Sequence, residues 1–201
     1  MKQILHIISS ASGQASVSVP LGNAIIEKIR QTYPGSIVKE RNLLEKPLPH
    51  LEEAHVASFF TPPEYRTPEN LEAIIHSDEV VQEIKEADIL VIGAPMYNFG
   101  IHSTLKTWID HLIRVGLTFK YDDQGNQTGL IEGKKVYLAL VSGAVYSEGP
   151  MRPADYVEPY LKTILSFIGL SDITSIRVEG LAIPGVKETA FQKAIESICI
   201  N

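Results

Sequence analysis

Asp88-Ile89-Leu90-Val91-Ile92-Gly93, running directly into Ala94-Pro95-Met96-Tyr97-Asn98-Phe99-Gly100, decides the fold of this chain. An uninterrupted aliphatic run closed by glycine reads as a strand buried on both faces, as in a parallel sheet covered by helices. Beyond the turn, Ser103 to Val115 sets Leu105, Trp108, Ile109, Leu112 and Ile113 at i, i+3, i+4, i+7 and i+8, which predicts an amphipathic helix. Strand, small-residue turn and helix together form half of a crossover unit.

The same unit recurs on both sides. Ile4 to Ile8 predicts a buried strand ending in Ser9-Ser10-Ala11-Ser12-Gly13. A helix from Ser18 to Tyr33 follows, with Leu21, Ile25, Ile26 and Ile29 on one face, Pro20 in the tolerated first turn and Pro34-Gly35 as the stop. Ile37 to Arg41 is a second strand, and Leu71, Ile74, Ile75, Val81 and Ile84 mark a helix before the central strand. Downstream come a strand at Lys135 to Val141, a helix carrying Val157, Tyr160, Leu161, Ile164, Leu165 and Ile168, a fifth strand at Ile173 to Val178, and a last helix with Phe191, Ala194, Ile195 and Ile198. Prolines 47, 49, 62, 63 and 68 rule out regular structure over much of 42–68, a long loop of the kind that is usually functional. The polar segment 116–133, with Asp123-Gln124-Gly125-Asn126, reads as an inserted hairpin. Five apolar strands alternating with helices predict a single α/β domain over 1–201, a doubly wound parallel sheet with helices on both faces. Such sheets bind ligands outside the carboxyl ends of their strands, where the strand order switches. The loops after Ser9 and after Ala94 are therefore the expected site.

Bulk properties narrow the function. At 201 residues, 44% hydrophobic and 21% charged, the chain is an ordinary globular domain. Its 18 basic and 24 acidic residues are spread along the length, which leaves no basic stripe for nucleic acid. No apolar run approaches the roughly 20 residues that span a bilayer. The start, Met1-Lys2-Gln3, has no signal-peptide architecture, and the single cysteine, Cys199, permits no intrachain disulfide, so a reducing cytoplasm is the expected location. Histidines 6, 50, 55, 76, 102 and 111 show neither HxxxH nor HExxH spacing, so no metal site is expected.

The first loop has neither a GxGxxG fingerprint nor a GxxxxGK[ST] phosphate loop. It supplies hydroxyls instead, from Ser9, Ser10, Ser12, Ser16 and Ser18. Hydroxyls and unpaired N–H groups leading into a helix N-terminus can hold a phosphate without lysine. A serine-rich turn with Ser18 as a simple helix cap accounts for the same residues. In the second loop, Met96, Tyr97 and Phe99 offer a flat apolar wall, Pro95 stiffens the turn and Gly100 loosens its end, as an isoalloxazine ring would require. Ordinary core packing is the alternative for the three large side chains. Ser142, in Leu140-Val141-Ser142-Gly143-Ala144, lacks the preceding glycine of a nucleophile elbow.

Ala94 to Phe99, Ser16-Val17-Ser18, Gly116-Leu117-Thr118-Phe119-Lys120-Tyr121, Gly133-Lys134-Lys135 and Ser166-Phe167-Ile168-Gly169 together resemble the FMN-dependent NADH azoreductases and NAD(P)H quinone reductases, in order and over nearly the whole chain. The resemblance implies a flavodoxin-like sheet of order 2-1-3-4-5 and FMN as cofactor. It places Ser10, Ser16, Val17 and Ser18 at the FMN phosphate, and Pro95, Met96, Tyr97, Asn98 and Phe99 along the flavin. Ser142 and Gly143 fall at its edge, and Tyr121, Tyr146 and Phe167 face the substrate. Hairpin packing for Tyr121 and helix core for Phe167 account for those two equally well. The resemblance further implies a homodimer with both sites at the interface, and NADH or NADPH reducing quinones or azo compounds by ping-pong hydride transfer with no catalytic side chain. No acidic or basic ribose reader selects between NADH and NADPH. One turn departs from the pattern: Val141-Ser142-Gly143-Ala144 stands where many members carry a Ser-Arg-Gly-Gly-like sequence, which leaves a charge-based role for that loop in doubt. The competing function on the same fold is an FMN electron carrier or redox-sensing module that serves protein partners. The long loop and the insertion favour the enzyme, because they can wall a substrate pocket.

Overall fold

The computed structural model describes residues 1–200. Its central sheet has five parallel strands in the order β2-β1-β3-β6-β7, which are Ile37–Asn42, Gln3–Ile8, Ile89–Pro95, Lys135–Val141 and Asp172–Val178. Counting sheet strands alone, this is the expected 2-1-3-4-5 order. Helices α1 (Ser18–Thr32) and α6 (Lys187–Glu196) cover one face, while α3 (Pro68–Glu86), α4 (Ser103–Leu112) and α5 (Glu158–Phe167) cover the other.

Alternation along the strands feeds the two cores. Leu5, Ile7, Leu90, Ile92, Leu138 and Leu140 point toward Val80, Ile84, Trp108, Leu112, Leu161 and Leu165. Ile4, Ile89, Val91, Ala139, Ile176 and Val178 point toward Leu21, Ile25 and Ile29 of α1 and toward Ala190 and Ala194 of α6. Each fully buried Leu or Ile stabilises the fold by roughly 1.5–3 kcal/mol. β3 is buried along its whole length, which is why its sequence shows no polar alternation.

One polar side chain lies on the α1 face. His6 is fully buried, and a Cβ at Gly22 would sit 2.4 Å from its Nε2, so α1 can close on β1 only because position 22 has no side chain. Neither ring nitrogen has a hydrogen-bond partner, and Glu40 Oε1 is 3.9 Å from Nδ1. Burial lowers the pKa of His6 from 6.5 to about 4 and keeps the ring neutral at neutral pH.

Two segments differ from the sequence expectation. Within 42–68 the chain forms α2 (Glu53–Phe60) and a short 3-10 turn at Pro63–Tyr65. The prolines bracket the proline-free window 50–61, and Glu52 N–H donates to His55 Nδ1 at 3.0 Å where α2 starts. Phe59 of α2 lies against the Arg114 guanidinium, 4.1 Å from ring centre to Cζ. Helix α4 also stops at Leu112, short of Val115, because Thr118 Oγ1 donates to the Leu112 carbonyl at 2.9 Å and accepts the Arg114 N–H at 2.9 Å. Residues 116–133 carry the antiparallel pair β4 (Phe119–Tyr121) and β5 (Gln127–Gly129). A Cβ at Gly129 would fall 2.2 Å from Gly169 N, so β5 lies directly on the end of α5.

Candidate active site

A cleft of about 310 Å³ opens at the carboxyl ends of β1, β3 and β6. Ser10, Ser12, Ala15 and Val17 line one side, Pro95, Met96 and Tyr97 the floor, and Val141, Ser142, Gly143, Leu181 and Ala182 the other side. None of these side chains is charged. This is the switch point between the first and third sheet strands, where a doubly wound fold gathers ligands.

The loop after β1 is held without ions. Ser9 Oγ donates to the Gly93 carbonyl at 2.6 Å and fastens the end of β1 to β3. The phenol oxygen of Tyr97 accepts the Ala11 N–H at 3.0 Å and meets Ser12 Oγ at 3.2 Å, so one aromatic side chain ties the second loop to the first. Ser16 Oγ accepts the Val19 N–H at 3.3 Å and lies 3.4 Å from Ser18 Oγ. Ser16 and Ser18 are buried at the start of α1, behind the residues that line the cleft. In the first turn of α1 the Val19 N–H is taken by Ser16 Oγ, the Leu21 N–H by the Val17 carbonyl, and Pro20 has none, so this turn offers an anion chiefly the positive end of the helix dipole. With the Ser10 and Ser12 hydroxyls alongside, that arrangement suits a phosphate monoester.

The loop after β3 is a tight two-residue hairpin. Tyr97 and Gly100 exchange backbone hydrogen bonds at 2.9 and 3.0 Å, and Asn98 and Phe99 both adopt positive φ, +49° and +67°. That is type I′ geometry, which favours Asn-Gly. Asn tolerates it, whereas Phe pays about 1–2 kcal/mol. The strained backbone leaves the Phe99 ring half exposed, 6.4 Å from the Tyr146 ring and edge to face with it. Met96 N–H donates to the Val141 carbonyl at 2.8 Å and joins this turn to β6. His102 caps α4 through Nδ1 and stacks edge-on against Tyr97 at 5.1 Å.

The structure therefore brings Ser10, Val17, Pro95, Met96, Tyr97, Ser142 and Gly143 together around one cleft. Ser16 and Ser18 stand behind it, and Asn98, Phe99 and Tyr146 form an aromatic turn beside it. Tyr121 and Phe167 pack around Phe119, with ring centres 5.6 and 4.7 Å from it, and do not line the cleft of their own chain. Ser12, one of the first-loop hydroxyls, lines the cleft, and so do Ala15, Val141, Leu181 and Ala182, to which sequence reasoning did not assign a role. Gly180, directly after the last strand, was the available signal for Leu181 and Ala182. It adopts φ +77°, and Ala182 N–H reaches the Gly143 carbonyl at 2.8 Å. Among the described residues, no group of three or more His, Cys, Asp or Glu side chains could hold a metal ion, and no helix is long and apolar enough to cross a membrane.

Comparison with known proteins follows this geometry. A family model described as flavodoxin-like fold matches residues 2–199. The chain is 48% identical over 182 residues to an FMN-dependent NADH:quinone oxidoreductase of Herminiimonas arsenicoxydans, covering 90% of this chain and 89% of that protein. It is 46% identical over 195 residues to a protein of the same description from Rhizobium johnstonii, covering 96% and 95%. Among solved structures it superposes on an azoreductase from Bacillus anthracis str. Sterne with a TM-score of 0.90 at 29% identity, covering 98% of this chain and 97% of that one.

Proposed function

Because the chain belongs to the flavodoxin-like family of FMN-dependent NADH:quinone oxidoreductases and azoreductases, we propose that its cleft is where NADH reduces quinones and aromatic azo compounds by ping-pong hydride transfer. It is an FMN-dependent oxidoreductase. The observation that carries the reading is the uncharged cleft at the strand-order switch, lined by Ser10 and Ser12 of the first loop and by Pro95, Met96 and Tyr97 of the second.

The residues fit FMN. Ser10, Ser12 and the first turn of α1 would hold the phosphate, with Ser16 and Ser18 ordering that turn from behind. Pro95, Met96 and Tyr97 would lie along the ring, and Asn98 and Gly143 would offer backbone N–H donors to its polar edge. When bound, FMN supplies hydride acceptance and donation, so the protein needs no acid or base of its own. What the chain contributes is position. Donor and acceptor would stack in turn over the same face of the bound flavin, which is what ping-pong kinetics would require.

The reading includes a homodimer. Val56, Phe60, Tyr65, Leu71 and Ile75 are exposed on and between α2 and α3, an apolar surface that a second copy would cover. Tyr121 and Phe167, absent from the cleft of their own chain, would then face substrate across the interface. A reducing cytoplasm, where NADH is available, is the proposed location, and a quinone is the proposed physiological acceptor.

The test is direct: mix purified protein with FMN, NADH and menadione and follow NADH absorbance. Steady loss without any partner protein, with parallel double-reciprocal plots, is the expected result. FMN binding without NADH turnover would favour an electron carrier serving proteins, and failure to bind FMN would overturn both.

A further inference from the structure

The turn from Val141 to Ala144, which carries no arginine of its own, is backed by an arginine from the neighbouring strand. Arg177 lies on β7 opposite Leu140 of β6, 16% exposed, and three carboxylates converge on its guanidinium. Nη2 meets Asp155 Oδ2 at 2.6 Å and Glu158 Oε2, and Nη1 meets Glu179 Oε1 at 3.0 Å. Each carboxylate also holds something else. Asp155 Oδ1 accepts the N–H groups of Val157 and Glu158 at 2.9 and 3.1 Å and so caps α5. Glu179 Oε1 accepts the N–H groups of Tyr146 and Ser147 at 2.8 and 3.0 Å. Tyr146 is the residue whose ring meets Phe99.

Arg177 stands one layer behind the cleft. A small void lined by Ala94, Met96, Leu140, Val141, Ser142, Asp155, Val157 and Arg177 shares Met96, Val141 and Ser142 with the cleft wall. From Val141 to Ala144 the chain is tied to residues 178–182 by the β6–β7 ladder and by backbone hydrogen bonds that continue past it, and beyond them Glu179 holds Tyr146 and Ser147. Left alone, Glu179 would be drawn toward solvent. The guanidinium fork keeps it turned inward, because a planar set of five donors holds its carboxylates in fixed directions where an ammonium is a rotatable point charge.

We propose that Arg177 is a positioning residue for the cofactor cleft: through Glu179 it fixes the Ser142–Tyr146 loop, and with it Gly143 and the Tyr146–Phe99 aromatic pair. This rests on the FMN reading above. For Glu158, burial opposes ionisation, but Lys162 and Arg177 outweigh it and bring its pKa down from 4.5 to about 2.

The experiment titrates FMN into apoprotein of the wild type, Arg177→Lys, Arg177→Ala, Glu179→Gln, Glu179→Ala and the Arg177→Ala/Glu179→Ala double variant. Visible flavin absorption and dichroism are recorded well below each melting temperature, with kcat and KM for menadione. Arg177→Ala and Glu179→Ala should each weaken FMN binding by about tenfold and shift the flavin spectrum in the same sense. The double variant should be no worse than either single, because both break one linkage. Arg177→Lys should recover part of the loss, and Glu179→Gln, which keeps the acceptor for Tyr146 and Ser147, should recover more. KM for menadione should rise more than kcat falls. If every folded variant melts earlier yet binds FMN with wild-type affinity and spectrum, the role is structural and the proposal is overturned. Should Arg177→Ala not fold, the contrast between Glu179→Ala and Glu179→Gln decides, and equality with the wild type in both overturns it. Wild-type protein that binds no FMN would instead remove the reading beneath it.

Discussion

On the β1 side of the cleft the chain is held by neutral groups: serine hydroxyls, backbone N–H groups and the Tyr97 phenol. On the β6 side it is held by charge, through Arg177 and three carboxylates one layer behind the wall. Both surfaces that face the ligand are uncharged, yet their supports respond to different stresses. If the FMN phosphate binds on the neutral side as proposed, the incoming dianion would supply the only charge there, and its affinity would depend on dipoles and donors that no proton removes. An ionic support is more specific in geometry but vulnerable to acid.

The largest expected effect separates the two sides by pH. Beneath the neutral wall, His6 has a folded pKa of about 4 against 6.5 when exposed, so the unfolded chain binds the extra proton between those values. Stability from this group is present above pH 6.5 and is lost as pH falls toward 4, by about 3 kcal/mol in total. Glu158, on the ionic side, protonates in the unfolded chain near 4.5 and in the folded chain at about 2, so its contribution is lost in that lower window. Denaturant midpoints measured from pH 7 to pH 2 should fall in two steps. His6→Leu should flatten the upper step, Glu158→Gln the lower, and a single unchanged step in both variants would refute the division.

Gly22→Ala tests how the neutral wall is seated. The new methyl would meet His6 Nε2 at 2.4 Å, so α1 must shift, at a cost of about 1–3 kcal/mol. Calorimetric melting should show the loss, and FMN affinity should fall with it if the start of α1 holds the phosphate end as proposed. Unchanged FMN affinity would mean that the helix start is held by its loop and not by its packing.

Tyr97→Phe removes the acceptor for Ala11 N–H and the contact with Ser12 Oγ. Stability should drop by about 1 kcal/mol, and FMN should bind several times more weakly by fluorescence titration. Smallest of all, Phe99→Gly makes Asn-Gly of the type I′ turn. Its melting temperature should hold or rise slightly, since strain of about 1–2 kcal/mol is relieved against the entropy of glycine, while kcat/KM for menadione falls. A loss of both would show that the Phe99 ring supports the turn as well as the site.

Much of the fold is legible in the sequence because its signals are local and strong. The aliphatic run at Ile89 to Ile92 and the helical spacing from Leu105 to Leu112 are patterns of burial that tertiary context reinforces. Helix α2 escaped because proline counts describe a stretch and not the gaps within it. The early end of α4 escaped because its cap is Thr118, six residues beyond the carbonyl it satisfies. At the site, strand ends pointed to the loops after Ser9 and Ala94, while the resemblance to a known family supplied Ser10, Val17, Pro95, Met96, Tyr97, Ser142 and Gly143, which the structure gathers around one cleft. That Tyr97 serves the first loop through its hydroxyl, and that Arg177 stands behind the fourth sheet strand, depends on contacts between segments far apart in the chain. Period and spacing carry no trace of them.

The strand order also governs how copies can meet. It leaves β2 and β7 as open edges, and β2 ends in Lys39-Glu40-Arg41-Asn42. Charged side chains on an edge discourage another chain from adding its own strand. The sheet thus resists growth sideways into ribbons, even though its central strands are among the most apolar segments in the chain. In the proposed homodimer, pairing would fall to the helix surfaces, where an isologous contact closes after one partner.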